Sequence, residues 1–73
     1  MTNTIHTQQY KQFVKRLKEA RVKAGLNQTN VAKKFKKPQS YISKVEAGEQ
    51  RVDIVELKIF AKLYNKDINY FLE

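Results

Sequence analysis

The sequence predicts one small all-α domain made of five short helices, and three observations support this. Apolar residues recur at spacings of three and four in several segments, as in helices, and no segment alternates as a strand does. Glycine, proline and the helix-capping residues asparagine and aspartate separate these segments. The chain has 73 residues, 41% of them hydrophobic, and no cysteine. It can therefore bury a small core, and it has neither a disulfide framework nor a cysteine-bound zinc.

The first helix is expected from about Gln9 to Ala24. Gly25 suits the end of this helix because glycine adopts a positive φ without steric cost. Residues 1–8 show no periodicity and are expected to form a flexible N-terminal arm with a solvated His6, whereas residues 9–73 form the folded domain. The expected buried stripe of the first helix consists of Tyr10, Phe13, Val14, Leu17, Ala20 and Ala24.

Two shorter helices follow. Asn27 is a good N-cap for a second helix over Gln28–Phe35. Pro38 marks a break, because proline disfavours the α conformation in the residue before it and suits the start of a helix. The third helix is expected from about Pro38 to Ala47 and ends at Gly48. The inward residues of the two helices are Val31, Ala32, Phe35, Ile42 and Val45.

Aspartates begin the last two helices. Asp53 is expected to cap a fourth helix after a loop over residues 49–52, and Asp67 to cap a short fifth helix. The expected buried stripe of the fourth helix is Val55 or Ile54, with Leu57, Phe60, Ala61 and Tyr64. The fifth helix is expected to close the core with Ile68, Phe71 and Leu72.

Positive charge is concentrated in the first part of the chain. Residues 1–45 carry eleven of the fifteen lysines and arginines and one acid, whereas residues 46–73 carry four basic residues and six acids. The net charges are therefore +10 and −2. A surface this basic is typical of one that binds a polyanion such as nucleic acid. A lysine-rich solubilising surface is one alternative, and binding of the first helix to a membrane surface is another.

The second and third helices, with the turn between them, have the outline of a helix-turn-helix. The segment LNQTNVAKKFKKPQSYISKVEAG at 26–48, with the pattern L-x-x-F-A-x-x-Y in the fourth helix, resembles the helix-turn-helix family of Cro and phage-type repressors, the xenobiotic-response-element class. The resemblance covers roughly residues 13–72. It implies a compact fold like that of lambda repressor and a sequence-specific DNA-binding regulator, expected to be a prokaryotic or phage repressor.

The resemblance places the base-contacting positions at Gln39, Ser40 and Lys44, on the exposed side of the third helix. The chemistry agrees, because glutamine can pair with the N6/N7 edge of adenine and lysine can donate to O6 and N7 of guanine. The alternative is that Gln39 and Ser40 are ordinary first-turn residues of a helix. The residues expected at the DNA backbone are Gln28, Lys36, Lys37, Tyr41, Ser43 and Arg51.

The turn departs from the family pattern. Lys36 and Lys37 stand where the family usually has glycine and an apolar residue, and Pro38 replaces the usual serine or threonine cap. These changes are expected to bring extra positive charge close to the DNA backbone and to alter the tilt of the third helix.

Two further features concern packing and assembly. The resemblance implies a salt bridge between Arg21 and Glu46, although two solvated surface charges are the alternative. Ile59, Leu63 and Tyr70 are expected to form the interface of a homodimer that binds an inverted repeat spaced about one helical turn. The alternative is that one of these three belongs to the core and the others are merely exposed.

Other functions fit less well. An enzyme is not expected, because the acids form no paired constellation and the lone histidine lies in the arm. No metal, cofactor or small-molecule ligand is expected, and no apolar run approaches the about 18 residues of a membrane span. An antitoxin, or another module whose main partner is a protein, is the alternative function. The chain is expected in the cytoplasm, associated with the nucleoid.

Overall fold

The computed structural model describes residues 7–73 and contains five helices and no strand within that range. This confirms the predicted all-α, five-helix fold. The helices are α1 (Gln8–Lys23), α2 (Gln28–Phe35), α3 (Gln39–Glu46), α4 (Ile54–Leu63) and α5 (Ile68–Leu72).

Helix α1 begins one residue earlier than predicted. The Thr7 side chain accepts a hydrogen bond from the Tyr10 backbone N–H at 3.1 Å and so caps the helix. Thr7 and Gln8 therefore belong to the folded part, not to the expected arm. His6 lies outside the described residues, as does the rest of segment 1–6.

The predicted caps determine where α2, α4 and α5 begin. Asn27 and Asn30 form a reciprocal capping box at the start of α2, and Asp53 and Glu56 form one at the start of α4. Asp67 accepts the Asn69 backbone N–H at 2.8 Å and caps α5. Each box satisfies two backbone donors that a helix start leaves unpaired, which explains the agreement between the predicted and observed starts.

The core is built by one face of each helix. Helices α2 and α3 pack closely on each other, α1 packs against α3 and α5, and α4 packs against α5. Ala32 is buried in the tightly packed α2–α3 pair. The largest fully buried side chains are Phe60, Phe71, Leu17, Ile42, Val31 and Val45.

Ala24 and Leu72 were predicted to be buried but are exposed, and so are both of the alternatives Ile54 and Val55. Ala24 is the C-cap of α1 and faces solvent. Ile54 and Val55 lie in the first turn of α4 and are 59% and 62% exposed, because the half-buried Val52 packs against the core in their place. Leu72 is 62% exposed because Phe71, one residue earlier and about 100° around the helix, fills the core.

The turn between α2 and α3 ends α2 with a lysine in a left-handed conformation. Lys36 has a φ of +56° and a ψ of +42°. Its N–H donates to the Lys33 carbonyl at 3.1 Å, and the next N–H, of Lys37, donates to the Ala32 carbonyl at 3.0 Å. This is the Schellman geometry that glycine usually completes. The tight turn is therefore formed without glycine, at a conformational cost to Lys36.

Candidate nucleic-acid interface

Helix α3 has one face in the core and the other in solvent. Ile42 and Val45 are fully buried and hold the helix on the domain. Gln39, Ser40 and Lys44, the expected base-contacting residues, are all exposed. The helix thus presents a polar, cationic face of the kind that can approach base edges, while two apolar residues anchor its back.

A buried ion pair ties α1 to the end of α3. Arg21 Nε donates to Glu46 Oε2 at 2.6 Å and Nη2 donates to Oε1 at 3.1 Å, so the predicted pair is present and bidentate. A third donor, Nη1, bonds the Leu26 carbonyl at 2.9 Å. Arg21 is only 9% exposed. The hydrogen bond to Glu46 raises the pKa of the Arg21 guanidinium. The bidentate contact fixes the spacing of the two helices.

The ion pair extends through Gln28 to the exposed face of α3. Gln28 Nε2 donates to Glu46 Oε1 at 3.0 Å, and Gln28 Oε1 accepts a hydrogen bond from Gln39 Nε2. Gln39 therefore has its amide orientation set by a chain of contacts that ends at Arg21. The sequence did not predict this link. The signal for it is that the two glutamines occupy the first positions of α2 and α3.

This link leaves Gln39 chemically suited to adenine. A glutamine amide has two protons and one acceptor oxygen. One Gln39 proton goes to Gln28, and the other proton and the oxygen stay available. Adenine offers N7 as an acceptor and N6 as a donor in the major groove, and these match the two remaining sites. A phosphate contact by Gln28 stays a prediction and would use its second amide proton.

The residues expected at the DNA backbone differ in how exposed their side chains are. Lys36, Ser43 and Arg51 are exposed. The exposed Lys37 has its Nζ 4.8 Å from the centre of the Tyr41 ring. Tyr41 is half-buried, and its hydroxyl donates to Glu56 Oε2 at 2.6 Å. Burial, and then this hydrogen bond, raise the pKa of Tyr41 well above its usual value. Its phosphate contact stays a prediction and would require the hydroxyl proton that Tyr41 now uses in the hydrogen bond to Glu56.

The loop that carries Arg51 also contacts α1. The Tyr10 hydroxyl donates to the Gln50 carbonyl over a long distance of 3.4 Å. Burial raises the pKa of the Tyr10 hydroxyl, while a hydrogen bond with the Val52 backbone and then the Arg51 charge oppose that rise. The periodicity placed Tyr10 only in the buried stripe of α1, and the structure adds this contact to the loop.

The expected dimer residues do not form one exposed patch. Ile59 is 39% exposed. Leu63 and Tyr70 are half-buried and pack against the core. The Tyr70 ring is further flanked by Arg16 and Lys66, whose cationic groups lie 5.6 and 4.8 Å from its centre. A more open apolar surface lies in a groove between the starts of α1 and α4 and the end of α5. Its lining includes Tyr10, Phe13, Val52, Ile54, Leu57 and Leu72.

Two other kinds of site are absent from the described range. Among residues 7–73, no cluster of histidine, aspartate and glutamate is placed to hold a metal ion. In the same range, no helix has the length and apolar character to cross a membrane.

Comparison with known proteins agrees with this geometry. A family model described as a helix-turn-helix matches residues 17–71, well over half of the chain. The matched range includes all of α2, α3 and α4, with both members of the Arg21–Glu46 pair. Among curated proteins, none matches the chain.

Proposed function

Because the chain belongs to the Cro and phage-repressor type of helix-turn-helix family, a family of DNA-binding regulators, we propose that it recognises a specific DNA sequence. Helix α3 lies in the major groove and contacts base edges through Gln39, Ser40 and Lys44. Lys36, Lys37 and Arg51 contact phosphates, and Gln28 and Ser43 lie at the edge of the same surface. The protein acts as a transcription repressor by occupying its operator.

The observation that carries this proposal is the link from the exposed Gln39 through Gln28 to the buried Arg21–Glu46 pair. A solvated surface glutamine loses side-chain entropy when it binds a base. Here the Gln39 amide is held before DNA arrives, so less entropy is lost on binding. A merely solubilising surface has no need for such an oriented amide.

We further propose that the protein binds as a dimer on an inverted repeat. A single α3 contacts too few base pairs to define a unique genomic site, and two copies related by a twofold axis double the number contacted. The proposed interface centres on Ile59, with Leu63 and Tyr70 beside it. The partly exposed Ile59 supports this assignment.

Selection of a random duplex library by the purified protein tests the proposal. We expect a palindromic site with half-sites about one helical turn apart. Gln39→Ala should lose preference at one position of each half-site, whereas Gln9→Ala, which removes an exposed glutamine from α1, should select the wild-type site. Recovery of no motif, with salt-sensitive binding to all duplexes alike, would contradict sequence-specific regulation.

A protein-binding module such as an antitoxin is the second candidate. The exposed Ile54 and Leu72 in the groove at the start of α4 favour it, because apolar side chains at a rimmed groove are typical of a protein interface. Here Ile54→Lys would abolish binding of a protein partner without changing the selected DNA site. If the library yields no motif, this candidate replaces the first.

A further inference from the structure

Tyr41 connects the proposed DNA-contacting helix to α4. Its hydroxyl donates to Glu56 Oε2 at 2.6 Å across fifteen residues of sequence. Its ring packs against Phe35, with the ring centres 5.8 Å apart, and Phe35 in turn packs against Phe60 at 4.5 Å. The side chain therefore joins α2, α3 and α4 through both an aromatic contact and a directed hydrogen bond.

The acceptor of this bond is itself fixed. Glu56 Oε1 accepts the Asp53 backbone N–H at 3.0 Å, while Asp53 Oδ1 accepts the Glu56 backbone N–H at 2.8 Å. Each oxygen of the Glu56 carboxylate thus has its own donor, one from the start of α4 and one from α3. The carboxylate cannot follow Tyr41 if α3 turns, so it acts as a fixed anchor.

Helix α3 needs such an anchor on this side. Its apolar contacts, Ile42 and Val45, hold it on the core, but hydrophobic contact has no preferred direction. Pro38 gives the start of the helix no side-chain cap. Hydrogen bonds weaken steeply when bent. The Tyr41–Glu56 bond therefore limits rotation of α3 about its own axis, together with the Arg21–Glu46 pair at the other end of the helix.

We infer that Tyr41 is a positioning residue for base recognition: with Glu56 it sets the rotation of α3, and so determines which base edges Gln39, Ser40 and Lys44 reach. The inference rests on the proposed function. It gives Tyr41 a role different from a phosphate contact, because phosphate oxygens only accept hydrogen bonds and the single hydroxyl proton of Tyr41 is donated to Glu56.

The two roles predict different results for Tyr41→Phe, which keeps the ring and removes the hydroxyl. A lost phosphate contact weakens binding to the selected site and to random duplex by the same factor. A rotated α3 weakens binding to the selected site alone. We divide the dissociation constant for random duplex by that for the selected site. We expect this ratio to fall about tenfold, the effect of one misplaced base contact.

The experiment measures both dissociation constants, at one salt concentration, for wild type, Tyr41→Phe, Glu56→Met and the double variant. Either single substitution should lower the ratio. The double variant should lower it no further, because both substitutions break the same hydrogen bond between Tyr41 and Glu56. Tyr64→Phe is the matched control, since it removes a buried hydroxyl that has no hydrogen-bond partner among residues 7–73. Its ratio should equal that of wild type.

Amide chemical shifts of the free proteins give a second measurement that does not depend on DNA. Tyr41→Phe should move the resonances of residues 39–44 more than Tyr64→Phe does. An unchanged ratio in Tyr41→Phe, an equal loss on both duplexes, or additive losses in the double variant would overturn the inference. If the wild type shows no preference for any DNA sequence, the proposed function is contradicted instead. The amide chemical shifts would still test whether Tyr41 sets the rotation of α3.

Discussion

Glu46 is the residue on which both stability and the proposed DNA contact depend. It receives hydrogen bonds from Arg21 at 2.6 and 3.1 Å and from Gln28 at 3.0 Å. Its side chain is 6% exposed and that of Arg21 is 11% exposed. Removal of the carboxylate would leave a guanidinium buried without its counter-charge, which is far more destabilising than the loss of a surface pair.

We therefore expect Glu46→Ala to lower the free energy of unfolding by about 3–5 kcal/mol, measured by urea denaturation. Glu73 provides a matched control, because its contact with Arg16 is long, at 3.7 Å, and its side chain is 72% exposed. Glu73→Ala should change stability by less than about 0.5 kcal/mol. Equal effects of the two substitutions would mean that burial does not strengthen the Arg21–Glu46 pair.

Lysines 44 and 37 are expected to contribute differently to DNA binding. Lys44→Ala should relax base preference at one position of the site, since it removes a base contact. Lys37→Ala should weaken binding to all sequences alike and lower the slope of log affinity against log salt by about 1. Binding titrations on the selected and random duplexes at several salt concentrations separate the two. Uniform losses in both variants would contradict a base contact by Lys44.

Tyr64 has a buried hydroxyl with no hydrogen-bond partner among residues 7–73. Burial raises the pKa of this hydroxyl well above its usual value. Tyr64→Phe removes the unsatisfied group and should leave thermal stability unchanged or raise it by up to about 1 kcal/mol. Tyr41→Phe is the informative contrast, because it removes a hydroxyl that is bonded to Glu56 and should lower stability by about 1 kcal/mol or more.

At the scale of helices and turns, Lys36 is the position where sequence and conformation conflict. A non-glycine residue in the left-handed region costs about 1–2 kcal/mol, whereas glycine adds about 0.4–1 kcal/mol of chain entropy to the unfolded state. Lys36→Gly should therefore raise the free energy of unfolding by about 0.5–1 kcal/mol, measured by thermal and urea denaturation. Lys34→Gly, inside α2, should lower it by about 1 kcal/mol.

The opposite ordering of these two variants would show that the turn imposes no strain on Lys36. Lys36→Gly also removes a positive charge, so we expect a weaker salt dependence of DNA binding whichever ordering is found.

Helix starts and turns were predictable because they depend on neighbouring residues. Asn27, Asp53 and Asp67 cap backbone groups within three residues of themselves. Gly25 and Gly48 have the positive φ that their positions require. The burial of Leu72, and of Val55 or Ile54, was predicted wrongly. It depends on whether a neighbour, Phe71 or Val52, packs against the core instead. Local periodicity contains no information about that competition.

Most residues of the candidate interface were proposed from the sequence, but the hydrogen bonds between them were not. Sequence and family resemblance identified Gln39, Gln28 and Tyr41, and the Arg21–Glu46 pair. They did not predict that Gln28 joins Gln39 to Glu46, or that Tyr41 donates to Glu56. These contacts join residues eleven to eighteen positions apart, and their geometry is set by how the helices pack, which no single segment specifies.

For the molecule as a whole, the proposed dimer is the property that we expect to affect DNA binding most. Ile59→Lys places a charge at the centre of the proposed interface, on a side chain already 39% exposed, so the fold should tolerate it. We expect the wild type to be dimeric at high micromolar concentration in light scattering and Ile59→Lys to be monomeric. The matched control is Val22→Lys, which adds the same charge at a 60% exposed position on α1.

A monomeric wild type, or equal dissociation by both variants, would contradict this interface. Monomers formed by Ile59→Lys should still bind one half-site. Their affinity should be lower because the DNA contacts of the second subunit are lost. The net charge of +8 means that every such comparison requires a fixed salt concentration.

The bond between Gln28 and Gln39 has a consequence for how such a regulator can change its target during evolution. A mutation at position 39 that favours a different base also leaves the Gln28 amide oxygen without its Gln39 donor. A single mutation would therefore exchange one target sequence for another only by losing the contact that orients these two side chains. A second mutation at position 28 would be needed to orient the new side chain. Retargeting thus becomes a two-step path through a less ordered intermediate, which favours persistence of the existing pairing between protein and operator.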